Sequence, residues 1–368
     1  MICTARHKSL DDFDSTRILT QTRFWGKVKQ QQGFIPSGFE LSLSTNLLYT
    51  QESLPRHASE DLLVLIRFID TEVCYAYVPY GPKIEPSFEN QGRFLEHLSE
   101  VLKPKLPAGC AFIRYDLHWK NQWASESDYY DDSGNWLGPP SHRTQEYRLN
   151  FNTALGNLRK SPEDSLPKNT FFIDLTQSEE ELWIQMRYTS RYEIRKALKN
   201  GVEVTEYPSS ELSIWYELYS ATCSRHRLEQ KPIEFFTSVL TSQDDTREGV
   251  SVKLLIAKRN KEFLSALFLV ISKNRANYLY GASKGAHNSY GASHLLQWES
   301  IKIAKKCGCN QYDLFGSAPN LDKRHPLHGV HVYKKGFGGR LFHRMGCWDY
   351  PIDHSIYQHF RAYEMASI

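Results

Sequence analysis

The order of apolar patterns along this chain of 368 residues is loosely the same in its two halves. Each half contains helical stripes, in which apolar residues recur every three or four positions, and short runs rich in β-branched residues. Short polar connectors between consecutive runs predict an antiparallel meander. The recurrence predicts a duplicated α+β unit. The predicted strands are 62–69, 73–78, 111–117, 170–175, 251–257, 264–271, 277–280 and 312–315. The predicted helices are 21–31, 94–102, 176–200, 212–224, 232–242, 295–304 and 353–364.

A weakly patterned segment at 118–166 separates the two halves. It is polar and rich in turn residues, which predicts a long loop or an inserted subelement, and its role stays unassigned. Because single domains usually have roughly 100–200 residues, this length predicts two domains with a boundary near the end of the segment. Each half is long enough to bury a sizeable core.

The composition excludes several classes of protein. The formal net charge is +3, which argues against a polybasic coat. No run of about 18 apolar residues occurs, so we expect no membrane helix. The basic N-terminus has no apolar run behind it, unlike a signal peptide. Seven scattered cysteines are typical of a reducing compartment, and we expect a cytoplasmic protein.

Basic residues recur every four positions in the helix predicted at 176–200. The members of this basic stripe are Arg187, Arg191, Arg195 and Lys199, with Lys196 beside them. Like charges at this spacing repel by roughly 0.2–0.5 kcal/mol per pair, which an anionic ligand such as an RNA phosphate would relieve. The alternative is a solvated helix face, and the spacing alone leaves both open.

Two lysines precede a glycine-rich turn at 333–339. Glycine lets the backbone approach a ligand closely, and the ammonium of Lys334 or Lys335 beside the turn can hold a phosphate or a developing oxyanion. The alternative is a strand leading into a turn with surface lysines, which the residues alone favour.

Three histidines recur at every third position before this turn: His325, His328 and His331. We expect a loop leading into a strand, in which residues three apart point to opposite faces. No nearby carboxylates complete a zinc motif. The spacing therefore does not predict a metal site.

Arg114 and Asp116 lie two residues apart in the strand predicted at 111–117 and would share one face. Asp116 can accept a proton or join Arg114 in a structural hydrogen-bond network. The spacing favours the network.

Three motifs are absent from the sequence: Gly-x-Gly-x-x-Gly, His-Glu-x-x-His and the acyl-CoA signature Gln/Arg-x-x-Gly-x-Gly/Ala. Their absence disfavours dinucleotide, zinc-protease and ordinary acetyl-CoA chemistry.

Several segments occur together in a fixed order over most of the chain. They are 21–29, 77–82, 191–197 with 201–202, 278–283, 295–299, 312–316 and 333–339. Each is weak alone, but the ordered set resembles the FemABX family of non-ribosomal aminoacyltransferases, which build peptide bridges in bacterial peptidoglycan.

The resemblance implies an α+β fold with two tandem GNAT-like domains, each a mostly antiparallel twisted sheet flanked by helices. The first would comprise 1–167, joined by the C-terminal helix at 350–368, and the second 168–349. The long coiled-coil arm of some family members is absent, because no sustained heptads occur.

The resemblance also implies a reaction. An amine of the peptidoglycan stem peptide attacks the ester of an aminoacyl-tRNA, an amide forms, and free tRNA leaves. The acceptor would be UDP-MurNAc-pentapeptide or lipid II, with peripheral contact to the inner membrane face. No metal, CoA or other cofactor is implied, and we expect a monomer.

The family pattern carries over to individual residues of this chain. The implied catalytic residues are Lys334, Tyr333 and Asp116. Lys29 would contact the diphosphate of the precursor. The other implied substrate-binding residues are Tyr280, Lys231, Phe235 and Lys335. The tRNA would lie on the basic stripe, that is Arg187, Arg191, Arg195, Lys196 and Lys199.

The chain departs from the family pattern at 231–235, where some members have Arg-Pro-Ile-Glu-Tyr. Lys231 keeps the charge but lacks the bidentate fork of arginine, and Phe235 lacks the hydroxyl. Precursor binding by these two residues is therefore weakened.

Two other functions stay open. One is a GNAT-type N-acyltransferase that uses acyl-CoA, against which the missing CoA signature counts. The other is a non-catalytic RNA-binding protein on the same fold, against which the retained Lys334 counts. The residues do not predict which amino acid is transferred.

Overall fold

A computed structural model describes residues 2–49, 56–242, 249–285 and 290–366. The strands in these ranges are β1 Cys3–His7, β2 Ile35–Ser44, β3 His57–Phe68, β4 Cys74–Pro79, β5 Cys110–Lys120, β6 Arg159–Lys160, β7 Asn169–Asp174, β8 Val202–Tyr207, β9 Val250–Arg259, β10 Glu262–Ser272, β11 Arg275–Ser283, β12 Gln311–Asp313 and β13 Arg340–Pro351. The α-helices are α1 Arg23–Gln31, α2 Phe88–Leu102, α3 His142–Leu149, α4 Glu179–Gln185, α5 Tyr188–Lys199, α6 Leu212–His226, α7 Ile233–Thr241, α8 Ala292–Lys306, α9 His328–Lys335 and α10 His354–Ala366. None of these helices is long and apolar enough to cross a membrane.

The chain divides into two compact units. The first consists of Met1–Asp14, Thr20–Lys168 and His343–Ile368, and the second of Ser15–Leu19 and Asn169–Phe342. Residues 343–349, assigned to the second domain from the sequence, lie in the first unit because β13 pairs with β5 from Arg344 onward.

The sheet of the first unit has the strand order β1-β2-β3-β4-β5-β13. The pairs from β1 to β4 are antiparallel, β4 and β5 are parallel, and β5 and β13 are antiparallel. Helix α2 connects the two parallel strands, because parallel neighbours need a crossover. Its residues Phe94, Leu95 and Leu98 are fully buried in the core of this unit.

The sheet of the second unit has the strand order β8-β9-β10-β11-β12-β7. The pairs from β8 to β11 are antiparallel, β11 and β12 are parallel, and β12 and β7 are antiparallel. Helix α8 is the crossover between the parallel strands and packs into the main core, with Leu295, Leu296 and Ile301 buried. Helix α6 contributes Trp215, whose ring lies tilted against that of Phe268 on β10, with 4.9 Å between centroids.

Five strands and the crossover helix therefore repeat one topology in the two units, as the sequence pattern predicted. The sixth strand differs, since β13 follows β5 in the chain and β7 precedes β8. A buried side-chain contact repeats with the shared topology. The hydroxyl of Tyr115 on β5 lies 2.9 Å from Ser99 Oγ on α2, and that of Tyr312 on β12 lies 2.9 Å from Ser300 Oγ on α8. An aspartate follows the tyrosine in both strands.

The single helix predicted at 176–200 is wrong, because α4 and α5 are separate helices. Met186 and Arg187 have extended backbone between them, with ψ angles of 148° and 146°. The Arg187 N–H donates instead to the carbonyl of Gly336, at 2.9 Å. A tertiary hydrogen bond thus takes the place of a helical one.

Candidate active site

Lys334 lies in the last turn of α9, where the sequence predicted a strand. That prediction is wrong, since residues 328–335 are helical. The lysine is only 6% exposed. Its Nζ donates hydrogen bonds to the carbonyls of Phe315, at 3.1 Å, and Gly316, at 2.7 Å. It also lies 5.2 Å from the ring centroid of Tyr278 on β11.

The charge of Lys334 depends on pH near neutrality. Burial lowers its pKa to about 7, although the carboxylate of Asp313 opposes the shift. Asp313 Oδ1 also accepts the N–H of Phe315, at 2.8 Å, and so shapes the turn whose carbonyls hold the lysine. Both the ammonium and the neutral amine are populated around pH 7.

Tyr333 and the glycine-rich turn fix α9 in the second unit. The Tyr333 hydroxyl donates to the carbonyl of Ser293, at 2.8 Å. A Cβ on Gly336 would clash with Ser190 Oγ of α5, so glycine is needed for this close approach. Lys335, the last residue of α9, is half-buried. Gly336, two residues after Lys334, thus packs directly against the start of α5.

A second group of predicted residues lies in or beside one aromatic cluster of the second unit. The ring of Tyr280 lies edge-on to Phe235, with 6.1 Å between centroids, and also to Phe236 and Phe268. Lys231 joins through its backbone, since its N–H donates to the Tyr219 hydroxyl at 3.2 Å. The structure therefore brings together three residues that the sequence implied as substrate contacts.

Tyr278, whose ring centroid lies 5.2 Å from Lys334 Nζ, is a neighbour of the lysine that the sequence does not predict. The signal for it is its place in Tyr278-Leu279-Tyr280, where the resemblance implies only Tyr280. Tyr278 packs into the main core beside Leu269, whereas Tyr280 packs on Phe268, which points to the other face of β10. An irregularity in the β10–β11 pairing and a positive φ of 49° at Tyr280 produce this reversal.

The basic stripe is only partly a helix face. Arg187 occupies the N-cap position before α5, with no capping hydrogen bond from its side chain, so its predicted place inside the helix is wrong. Arg191 donates to the carbonyl of Ile184 at 3.3 Å, and Arg195 lies over Trp183, 5.3 Å from the ring centroid. Lys196 pairs with Glu193 at 3.1 Å. Lys199 is exposed in the last turn.

Lys29 lies in the first unit, enclosed by aromatic rings. Its Nζ is 5.0 Å from the ring centroid of Trp25 and 5.8 Å from that of Phe34, and it donates to Gln32 Oε1 at 2.9 Å. Burial, followed by repulsion from Arg67, lowers its pKa to about 8. Cation–π contact stabilises the charged form that a phosphate ligand would need.

Asp116 is fully buried in the first unit. Its Oδ2 accepts the Tyr77 hydroxyl, at 2.9 Å, and the Leu166 N–H, at 2.8 Å. Burial, with a smaller contribution from Asp164, raises its pKa to about 6. Arg114, two residues earlier, instead binds two other carboxylates. The role of Asp116 as a general base stays a prediction.

The three histidines do not form one cluster of ligands. His331 is buried in α9, where its Nδ1 lies 2.9 Å from the Ala318 carbonyl and 3.1 Å from Ser317 Oγ. The strand expected after His325 is wrong, because α9 begins at His328. Within the described ranges, no group of three or more His, Cys, Asp or Glu residues could hold a metal ion.

The fold and the buried lysine define a class: a two-unit α+β protein with mostly antiparallel sheets and one enclosed cation beside a glycine-rich turn. A model of the FemAB family matches residues 156–254 and 242–365. This is more than half of the chain, and the chain belongs to the FemAB family. The family predicted from the ordered segments is therefore confirmed.

Curated relatives include two proteins named lipid II:glycine glycyltransferase. The protein from Staphylococcus haemolyticus (strain JCSC1435) is 23% identical over 272 residues, which is 56% of this chain and 65% of that protein. The protein from Staphylococcus aureus (strain USA300) is 23% identical over 274 residues, with the same coverage of 56% and 65%. The chain thus matches about 65% of the length of these relatives.

Solved structures share the fold. The crystal structure of FemX has a TM-score of 0.71 at 16% identity and covers 97% of this chain and 99% of that chain. The structure of L-PGS from Bacillus licheniformis has a TM-score of 0.50 at 8% identity, covering 95% and 92%. The predicted α+β class with tandem units is confirmed.

Proposed function

We propose that this protein is an aminoacyltransferase that moves an amino acid from the ester of aminoacyl-tRNA to an amine of the peptidoglycan stem peptide. The observation that carries the proposal is the buried Lys334, fixed by two carbonyls in the unit that the family model spans. The names of the curated relatives support a peptidoglycan acceptor and a transfer reaction.

The chemistry asked of Lys334 is stabilisation of charge. The neutral amine of the acceptor attacks the ester carbonyl, and a C–N bond forms as the carbonyl oxygen becomes an oxyanion. The ammonium has three N–H donors, of which two serve the Phe315 and Gly316 carbonyls. We assign the third N–H donor to the oxyanion. Collapse of the intermediate breaks the C–O bond to the tRNA ribose, and the ribose oxygen leaves with the proton that the attacking nitrogen gives up as the amide forms.

The acceptor is assigned to two separate groups of residues. Lys29 in its aromatic enclosure offers a positive charge for the diphosphate of the precursor. The cluster around Tyr280 and Phe235 offers apolar surface, and Lys231 beside it carries an exposed ammonium that pairs with Glu229 at 2.9 Å. UDP-MurNAc-pentapeptide and lipid II share the diphosphate and the stem peptide, so both fit this assignment. Lys335 and Tyr333 complete the proposed site around Lys334.

The test is a transfer assay with purified protein, charged tRNA and either precursor. We expect label from the amino acid to appear on the precursor and to disappear after RNase treatment of the donor. The Lys334→Ala variant is expected to lose about 100- to 1,000-fold in rate, the typical cost of one oxyanion donor. Lys261→Ala, an exposed lysine between β9 and β10, is the matched control and should keep full activity.

Normal transfer by Lys334→Ala would refute the assigned chemistry. Absence of transfer from an intact pool of charged tRNA would refute the proposal that aminoacyl-tRNA is the donor. Acetyl-CoA binding measured by calorimetry would then favour the acyl-CoA-dependent function, and RNA binding without any transfer would favour a non-catalytic RNA-binding protein.

A further inference from the structure

Two tyrosines stand out on the surface of α5. Tyr188 is 69% exposed and Tyr192 is 53% exposed. They are four residues apart on one helix face, and their rings are stacked, with 6.5 Å between centroids and an interplanar angle of 27°. The helix therefore presents a pair of nearly parallel aromatic faces to solvent.

The core does not explain this pair. The buried residues of α5 are Ser190, Ile194 and Ala197, which belong to a different face of the helix. Large aromatic side chains left in water gain nothing for folding, and exposed aromatic surface commonly marks a binding site. The pair thus has no role in packing the unit.

Positive charge surrounds the two rings. Arg187, Arg195 and Lys199 are exposed, and within the described residues none of them forms an ion pair. The carboxylate of Glu193 on the same helix is paired with Lys196. At about 1.5 Å of rise per residue, Lys199 lies about 16 Å along the axis from Tyr188. Aromatic faces therefore occupy the first half of α5, and cations lie at both ends.

The pair also lies next to the proposed reaction centre. The N–H of Arg187 donates to the Gly336 carbonyl at 2.9 Å, and Gly336 follows Lys334 by two residues. Tyr188 is the next residue after Arg187. The aromatic surface thus begins where the lysine segment ends and extends away from it along α5.

We propose that Tyr188 and Tyr192 form a stacking platform for unpaired bases at the 3′ end of the charged RNA. The inference rests on the proposed function, in which the ester on the terminal ribose reaches Lys334. Unpaired bases next to that ribose would stack on the tyrosine rings, and stem phosphates farther along would meet Arg195 and Lys199. Proteins that bind single strands combine aromatic faces and cations in this way.

A titration with two RNA hairpins tests the platform. Both hairpins have the same stem, but one carries a single-stranded 3′ end and the other is blunt. Fluorescence anisotropy of the full-length protein gives the affinity for each at one fixed salt concentration. The variants are Tyr188→Ala/Tyr192→Ala and, as the matched control, Tyr188→Phe/Tyr192→Phe, which keeps the rings. Circular dichroism verifies that both variants are folded.

We expect the alanine variant to bind the overhang hairpin about tenfold to a hundredfold more weakly, and the blunt hairpin as the wild type does. The phenylalanine variant should match the wild type on both. Equal binding of the overhang hairpin by alanine variant and wild type would overturn the platform. Equal weakening of binding to both hairpins would also overturn the platform, because the tyrosines would then contribute to RNA binding without recognising unpaired bases.

Other outcomes separate this inference from the proposed function. Transfer from charged tRNA at wild-type KM by the alanine variant would overturn the platform and leave the proposed function standing. Failure of the wild type to bind either hairpin would overturn the platform, and only if charged tRNA also gave no transfer would the proposed function be refuted with it. Binding of the pair to anionic lipid vesicles in place of RNA, lost in the alanine variant, would overturn the platform in favour of a membrane contact.

Discussion

At the scale of single residues, burial of Lys334 makes its charge depend on pH near neutrality. Lys334 is held by two carbonyls and one aromatic ring, and Asp313 is the carboxylate that opposes its pKa shift. The folded pKa of about 7 is below the ordinary value of 10.5. Between these values the unfolded chain binds more protons, so the burial penalty falls as pH rises.

This linkage predicts a pH-dependent difference between the wild type and Lys334→Met. From pH 7 to pH 9, the free energy of unfolding of the wild type should rise relative to that of the variant by about 2 kcal/mol, since each full unit contributes at most ~1.4 kcal/mol. Urea unfolding at both pH values measures it. A constant difference between the two proteins would contradict a lowered pKa at Lys334.

The equivalent aspartates of the two units show how one residue type acquires different surroundings. Asp116 accepts from Tyr77 and a backbone N–H in the first unit, where nothing positive lies within hydrogen-bond distance among its described contacts. Asp313 accepts from Thr170 and a backbone N–H in the second, and its charge acts on Lys334. The repeated strand supplies the carboxylate, and its neighbours determine what it does.

At the scale of elements, the contact between the glycine-rich turn and the α4–α5 junction positions Lys334. Gly338 has a φ of +81°, and a Cβ there would meet the Gln185 carbonyl oxygen at 2.9 Å. Gly308, after α8, has nearly the same φ, +80°, but open space around a Cβ. An alanine at Gly308 would therefore meet backbone strain alone, whereas an alanine at Gly338 would meet the same strain and a steric clash.

We expect Gly308→Ala to cost about 1–2 kcal/mol of stability, the price of a left-handed conformation, and to keep normal transfer. Gly338→Ala should cost more, because the turn must also move away from Gln185, and it should lower the transfer rate. Thermal unfolding and the transfer assay measure both effects. Equal losses of stability with equal activity would show that the turn does not position the lysine.

At the scale of the whole molecule, the path of the chain makes the first unit depend on its last residues. Strand β13 and helix α10 come from the C-terminal end but belong to the first unit. Arg114 on β5 is buried and binds Asp349 at 2.7 Å and Glu364 at 2.6 Å. Both carboxylates come from this end of the chain.

A chain that ends at residue 342 should therefore fail to fold its first unit. It leaves Arg114 as an unpaired buried cation, which costs roughly 3–5 kcal/mol, and also removes the core residues Trp348 and Tyr350. Limited proteolysis should digest 20–168 and leave 169–342 protected. A chain lacking only residues 367–368 is the control. Resistance of 20–168 in the shorter chain would refute this dependence.

The sequence by itself determined the family, the α+β class, the duplicated topology and most of the helices and central strands. Periodicity predicts the class, the duplication and the elements, because each element buries one face and burial imposes period two or 3.6 on apolar residues. The family follows from the resemblance of the ordered segments and not from periodicity. The resemblance also pointed to Lys334, whose burial the structure shows and whose catalytic role stays a prediction.

Only the tertiary structure decided where side chains point and which backbone groups pair. The break before α5 arises from a hydrogen bond to Gly336, a residue far along the chain. The positive φ at Tyr280 reverses the face that alternation would give it. The helix at 328–335 ends in a turn that packs on α5. These features depend on contacts between segments distant in sequence, and local periodicity carries no information about them.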